Sequence, residues 1–335
     1  MNQQEIKIPP FDEYAPVAKL KERRNFMNIK KLRYPIVLRK YEILYQRLIN
    51  KQAEIEYELA KQRKGYAGEV NFSYYLNLLA YKFTALQDVC LVINSQQTQI
   101  DNIVISPNAI HIIEVKNYID IITFDHNLKQ LILADGEKES GITYPISQVE
   151  IQAIKLKLWL REQGLPSIPI YYYVAISKPS TKIKVIGDQE EVARIVTHAE
   201  DIPSKILLNE ESFSSTANFP HQKIGYAIKN ASTEYNFDVM KRHEINYSDL
   251  VKGVICPDCK AIGITRVHGG WYCRRCQRKY RNAHISAIND YLLLVKPWIR
   301  NFECVDWLNI NSRNVATRIL RNAALTYDSE KGYWR

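Results

Sequence analysis

From residue 89 to residue 133 the chain is a series of short β-rich runs with polar breaks between them. Residues 89–93, 99–105, 109–116, 119–124 and 128–133 concentrate Val, Ile, Leu and Phe, which predicts consecutive strands. Before them, residues 69–81 place Val70, Phe72, Leu76, Leu79 and Ala80 at helical spacing. After them, residues 147–163 carry Val149, Ile151, Ile154, Leu156, Leu158 and Leu160, and Gly164 and Pro166 end that helix. Residues 170–177 form an unbroken apolar, tyrosine-rich run, the pattern of a strand covered on both faces, and residues 182–186 and 193–197 add two further strands. Helix, antiparallel strands, helix, strand is the order of an α/β sandwich with a mixed sheet.

Outside this block the pattern changes. Residues 1–60 begin polar and proline-containing, then enter a charged helical stretch over 38–64 with Glu and Lys or Arg at i,i+4. Residues 208–250 are polar and read as a connector with one helix near 222–235. The tail predicts helices over 286–295 and 303–308, then a third running to about residue 324 that Ser312 caps. Val315, Ala316, Ile319, Leu320 and Ala323 form the apolar stripe of that third helix. Asn314, Thr317, Arg318 and Arg321 share another face, the layout of a helix-turn-helix recognition helix. Residues 325–327 and 332–334 suit a short wing, and a small helical cap with surface arginines fits the same residues.

At 335 residues the chain is long enough for two or three modules. No apolar run approaches the roughly 20 residues of a membrane span, and Met1 to Leu20 lacks the features of a secretory signal, so a cytoplasmic protein with no membrane partner is expected. Of the net charge of +10, residues 1–60 contribute 12 basic against 8 acidic side chains, residues 61–250 contribute 19 against 22, and residues 251–335 contribute 15 against 6. A basic last quarter is what phosphate binding needs. Lys19, Lys21, Arg23, Arg24, Lys30, Lys31 and Arg33 form a smaller cluster, suited to nucleic acid or to a solvated face.

The chemistry lies in the strands. Ser106-Pro107-Asn108 separates two β runs, and Pro and Asn favour a tight turn. If the turn centres on Pro107 and Asn108, facing residues have numbers that sum to 215, and Asp101 faces Glu114. The two-residue strand period puts Lys116 on the face of Glu114, with Ile113 and Val115 on the other. Two carboxylates side by side among Ile and Val are unfavourable unless a positive charge joins them. Oxygen ligands suit Mg²⁺ or Mn²⁺, and the chemistry this favours is attack of water on a phosphodiester, with Lys116 orienting or deprotonating the water or stabilising charge on phosphorus. A structural Asp/Glu–Lys salt bridge fits the same spacing.

Asp101 followed by Glu114-Val115-Lys116 resembles the PD-(D/E)XK nuclease signature, and more specifically the nuclease-related domain family, NERD. Four ordered segments carry the resemblance: Gly65-Tyr66-Ala67-Gly68-Glu69, Gln99-Ile100-Asp101-Asn102, Ile113-Glu114-Val115-Lys116-Asn117 and Pro145-Ile146-Ser147-Gln148. The sequence departs from the usual pattern at Tyr144, where the family often has Asn, and it lacks the usual glycine soon after Lys116-Asn117. Over about residues 61–207 the resemblance implies a restriction-endonuclease-like core, with Glu69 as a further acid and Gln148 reaching the site from the later helix. Without it, Glu69 is an acid in a first helical turn and Gln148 a surface amide.

Cys256-Pro257-Asp258-Cys259 and Cys273-Arg274-Arg275-Cys276 are two C-x-x-C pairs, the donor set of a closed four-thiolate Zn²⁺ site. Residues 262–268 and 270–273 would be the strands of a zinc ribbon, and His268 need not be a ligand. A redox role for one pair is the other reading. Cys90 and Cys304 sit in apolar contexts typical of core thiols. Around the knuckles, Arg266, Arg274, Arg275, Arg278, Lys279 and Arg281 alternate with Trp271, Tyr272 and Tyr280, a mix suited to phosphates and bases.

The sequence therefore leads to five expected parts: a basic helical region over 1–60, a nuclease-like domain over 61–207, a connector over 208–250, a zinc ribbon over 251–283 and a winged-helix-like tail over 284–335. The function expected is a Mg²⁺- or Mn²⁺-dependent nuclease acting on DNA. Glu69, Asp101, Glu114, Lys116 and Gln148 would form its site, and Arg274, Arg275, Arg278, Lys279, Arg281, Arg313, Arg318 and Arg321 would contact nucleic acid. Two rivals use the same residues: a non-catalytic DNA-binding or regulatory scaffold, and a protein-interaction adaptor working through the ribbon.

Overall fold

The structure, a computed structural model, describes residues 27–135, 138–213 and 217–335. Strand β1 (Asn28–Lys30) is followed by α1 (Ile36–Arg47), which turns Val37, Leu38, Tyr41 and Leu44 inward. Lys51, in left-handed backbone at φ 62°, breaks the chain before α2 (Gln52–Leu79), a single helix of 28 residues. The sequence places the change of pattern at Gly65, but the helix passes straight through it. Ile55 and Leu59 are buried in its first half and Phe72, Leu76 and Leu79 in its second. At about 100° per residue the second stripe lies about a third of a turn round from the first, which hides the continuity from a search for one apolar face.

Strands β2 (Thr84–Ile93), β3 (Gln96–Ile105) and β4 (Ile110–Lys116) follow as antiparallel neighbours. Next come β5 (Ile121–Asp125), β6 (Gln130–Asp135), β7 (Lys138–Thr143) and α3 (Pro145–Glu162). The domain continues with β8 (Ile170–Ile176), β9 (Lys182–Ile186), α4 (Gln189–Ile195) and β10 (Val196–His198). A mixed six-stranded sheet has the order β1-β2-β3-β4-β8-β10, and a four-stranded sheet the order β7-β6-β5-β9. Strand β7 has a polar sequence and exists by pairing with β6. The strand expected over 193–197 is mostly helix: the Asp188 carboxylate accepts the Glu191 N–H and caps α4, leaving a strand only from Val196.

Helix α3 packs Leu156, Trp159 and Leu160 on one face of the large sheet. On the other face the second half of α2 packs with α5 (Ile202–Glu211) around Phe72, Val104, Ile113 and Ile206. Helix α6 (His221–Ala231) is no connector: Ile224 and Ile228 belong to the α3-side core. Gly225 permits this contact, because a Cβ there would lie 2.5 Å from Thr84 Cγ2.

The tail contains α7 (Val239–Arg242), then β11 (Thr265–Val267), β12 (Gly270–Cys273) and β13 (Arg278–Tyr280) as a three-stranded sheet. It ends with α8 (Ala283–Leu294), α9 (Asn301–Leu308), α10 (Arg313–Asn322) and the hairpin β14 (Tyr327–Asp328) and β15 (Tyr333–Trp334). The basic region expected over 1–60 is not a separate part where it is described. Tyr41 and Leu44 of α1 and Ile55 and Leu59 of α2 share one core with Trp271, Ile288, Trp307, Leu320 and Trp334. At its centre Arg47 donates to Asp290 Oδ2 at 2.6 Å and to the carbonyls of Val251 and Gly253, and its guanidinium lies 4.5 Å from the Trp307 ring centre. Asp290→Ala leaves that guanidinium buried without its counter-charge, with an expected cost of about 3–5 kcal/mol. Urea unfolding followed by tryptophan fluorescence measures it, and a loss below about 1 kcal/mol would show the pair to be dispensable. Among the described residues, no helix is long and apolar enough to cross a membrane.

Candidate active site and cysteine cluster

The β3–β4 hairpin has the register that the Pro107-Asn108 turn predicts. Asn102 pairs with Ile113, Ile103 with Ile112, Val104 with His111 and Ile105 with Ile110. One step further, Asp101 Oδ2 accepts the Val115 N–H at 2.9 Å. Ile113 and Val115 enter the α2-side core, and strand alternation turns Glu114 and Lys116 towards α3. There the Glu114 carboxylate, 3% exposed, is enclosed by donors. Lys116 Nζ and Gln148 Nε2 both donate to Oε1 at 2.6 Å, and Gln152 Nε2 donates to Oε2 at 2.9 Å. Lys116 Nζ also donates to Gln148 Oε1 at 3.0 Å, which closes a triangle of three side chains.

Glu69 arrives from α2. That helix crosses the ends of β4 and β8 at Gly68, where a Cβ would lie 2.8 Å from Asn117 Cβ and 3.2 Å from Ser177 Oγ. One turn earlier the Lys64 carbonyl accepts Asn117 Nδ2 at 2.7 Å. Burial, then the charge of Asp101, pushes the Glu69 carboxyl well above the usual range. Burial and the Glu114 charge likewise push Asp101 up, to about 8. Burial works to lower Lys116, but Glu114, ahead of Tyr118 and Asp101, overcomes it and holds the ammonium above its ordinary value. The structure thus gathers all five residues singled out in the sequence.

Two members were not singled out. Gln152 lies one turn beyond Gln148 on the same helix face, a spacing that offered a signal. Asp88 lies between the pairs Gln87–Asn102 and Val89–Ile100, opposite Asp101, and in left-handed backbone at φ 49°. Burial pushes its carboxyl up as well, and only the fold brings it here. Its neighbour Lys30, from the basic amino-terminal cluster, points inward and donates to the Gln87 carbonyl at 3.0 Å. That bond engages it with the backbone of β2, and Lys19, Lys21, Arg23 and Arg24 lie outside the described residues.

The acids and the thiols differ in how close they come. Cys256, Cys259, Cys273 and Cys276 place their sulfurs within 4.8 Å of one another, close enough to bind one metal ion. Among the described residues, they alone form such a group of three or more ligands. Lys260 and Gln277, each directly after the second cysteine of its pair, are both left-handed, at φ 59° and 54°. The two knuckles therefore fold alike. Cys90 and Cys304 are buried core thiols. Glu69, Asp101 and Glu114 form no comparable group, and Glu114 is held by its lysine and amide partners. Gln152 Oε1, however, is buried without a partner among the described residues. That open acceptor and the neighbouring carboxylates are oxygen donors, the type a hard divalent cation takes, although the carboxylate oxygens of all three acids do not lie within 4.8 Å of one another.

Of the expected nucleic-acid residues, Arg274, Arg275, Lys279, Arg281, Arg313, Arg318 and Arg321 are exposed. Arg278 is exposed too but pairs with Asp258 at 2.5 Å. Lys260, Lys279 and Arg281 line a groove of about 690 Å³ beside the first knuckle. The recognition face expected on α10 is divided. Thr317 Oγ1 accepts Asn301 Nδ2 at 2.5 Å and donates to the Arg313 carbonyl at 3.0 Å, so it is not free to read a base. Arg318 lies towards Arg266 of β11, close enough for its charge to add to burial in lowering the Arg266 pKa.

Residues 64–177 match the family model described as the nuclease-related domain, NERD, so the chain carries such a domain from the Glu69 helix to the end of β8. No curated protein and no solved structure matches the chain.

Proposed function

We propose that the chain is a metal-dependent nuclease that hydrolyses phosphodiester bonds in DNA, with a PD-(D/E)XK-like core and a tail that binds nucleic acid. The observation that carries this reading is the enclosure of Glu114 by Lys116, Gln148 and Gln152 beside the raised carboxyls of Asp101 and Glu69. Asp101 and Glu114 would hold Mg²⁺ or Mn²⁺, which when bound neutralises charge at the phosphate and supplies a more acidic water. Lys116 stays protonated and sets a positive charge where negative charge develops on phosphorus. Gln148 fixes the direction of Lys116, and Glu69 adds negative potential from the α2 side. The four cysteines would hold Zn²⁺ as a structural ion, since no coordination position is left open. Helix α8, the Ile299–Trp334 backbone bridge, α9, α10 and the terminal hairpin support a winged-helix-like reading of the tail.

The test is cleavage of linear and circular DNA by purified protein with Mg²⁺, Mn²⁺ or EDTA. Metal-dependent cleavage is expected, and cutting of the circle would make it an endonuclease. The complete hydrogen bonding of Glu114 favours a second reading, a non-catalytic scaffold that binds DNA. Calorimetry separates the two, because the scaffold predicts no heat of Mn²⁺ binding that depends on Asp101 and Glu114.

Gly68 offers an independent check. Gly68→Ala forces α2 off β4 by the contact at Asn117 and moves Glu69 with it. Cleavage should fall by about tenfold to a hundredfold with a modest stability loss of about 1–3 kcal/mol. Wild-type turnover in a variant shown crystallographically to displace α2 would remove Glu69 from the site.

A further inference from the structure

A groove of about 570 Å³ opens between the start of α9, one stripe of α10 and the β14–β15 hairpin. Arg300, Arg313 and Arg321 line it together with Phe302 and Tyr327, and these two rings are 51% and 50% exposed. The neighbouring acids are engaged elsewhere: Glu303 pairs with Lys296 at 2.5 Å, and Asp328 with Arg335 at 3.7 Å. None of the three groove arginines enters an ion pair among the described residues. Three like charges around one concavity repel each other until an anion arrives.

The walls are already fixed. Asn301 Nδ2 donates to Thr317 Oγ1, and Asn301 Oδ1 accepts Trp334 Nε1 at 2.7 Å, so one side chain ties α9, α10 and the hairpin together. Ile299 and Trp334 exchange both backbone hydrogen bonds at 2.9 Å. A preformed site loses less on binding than one that must be ordered.

Arginines beside exposed aromatic faces suit a phosphate joined to an unstacked base. The volume lies within the range of small-ligand sites, about 300–1,000 Å³, which suits a nucleotide or two. Reading a duplex would need a helix face directed outward. Here Thr317 is consumed and Arg313 and Arg321 line the groove, which leaves only Asn314 and Arg318 of that face outward. We infer that this groove binds a single strand of nucleic acid, with phosphate on Arg300, Arg313 and Arg321 and a base against Phe302 or Tyr327. The inference rests on the reading of the tail as a nucleic-acid module.

Fluorescence anisotropy tests it on the full chain carrying Glu114→Gln, without added divalent cation. The probes are an end-labelled oligothymidylate and a blunt DNA duplex, across a range of salt concentrations. The single strand should bind about tenfold more tightly than the duplex. Arg300→Ala with Arg321→Ala should weaken single-strand binding by about tenfold or more and reduce the salt slope by about 0.7 for each phosphate that is no longer neutralised. Phe302→Ala, at an exposed position that leaves the fold intact, should weaken it by about fivefold to a hundredfold. Zinc content and thermal melting confirm that the variants are folded. Tighter duplex binding, or single-strand affinity that ignores both Phe302 and the arginine pair, overturns the inference. Either result leaves the cleavage reading standing, because cleavage is measured separately on the wild-type chain. Conversely, a chain that never cleaves but binds single strands through this groove keeps the inference and loses the nuclease.

Discussion

Glu114→Gln should reduce DNA cleavage by about a thousandfold or more while the protein stays folded. The carboxylate accepts from Lys116, Gln148 and Gln152. The substituted amide has one oxygen for those three donors and brings two N–H groups of its own. At least one donor then faces a donor, which costs about 1–3 kcal/mol, a loss a melting curve can show without unfolding the sheet. Glu114→Ala is the harsher change, since it removes the ion-pair partner of the Lys116 ammonium in a largely enclosed site. Comparing both variants with wild type in steady-state cleavage and in DNA affinity separates chemistry from binding. If either variant cleaves at the wild-type rate, the activity resides elsewhere and the acids are structural.

The second large effect is expected from metal at the knuckles. Stripping it with a chelator, or Cys273→Ser, should destabilise far more than a surface ribbon. Cys256 and Cys273 are buried in the same core as Tyr41, Leu44 and Trp271, so release of the sulfurs loosens the seat of α1. Structural zinc sites in small peptides contribute apparent folding energies of about 10–16 kcal/mol. A loss of about 5 kcal/mol or more is expected here, because much of the remaining core is independent of the ion. Hydrogen exchange localises it: protection should fall in α1 and the first half of α2, and the β2–β4 amides should keep theirs. Unchanged protection in α1 on removal of the metal would show that the ribbon stands apart from it.

What the sequence revealed divides along physical lines. The β3–β4 hairpin was legible because Pro107 and Asn108 set a turn, and a turn sets the register of every pair beyond it. The knuckles were legible because chelation demands close cysteines, and Ser312 because a cap acts within one turn. Other features depend on distant partners. Strand β7 has no apolar alternation of its own, and Asp88 matters only because Asp101 lies across the sheet. Helix α4 did carry a signal, Asp188 followed by Glu190 and Glu191, which the apolar residues after it outweighed. Thr317 looked like a reader of bases until Asn301, from another helix, claimed its hydroxyl. The union of α1 with the tail has no local signature at all.

That union sets an order of events during synthesis. Arg47 meets Asp290 only after 243 further residues have been made, and the core around Tyr41 and Leu44 closes with Trp334. The strands from β2 to β10 and the helices packed on them have their partners earlier. Meanwhile the stripe Val37, Leu38, Tyr41 and Leu44 has only Ile55 and Leu59 of α2 and the α7 segment to pack on, and apolar surface left exposed in a nascent chain invites aggregation or chaperone binding. A ribosome stalled before α8 would hold a folded sheet and an α1 still waiting for the tail's half of its core.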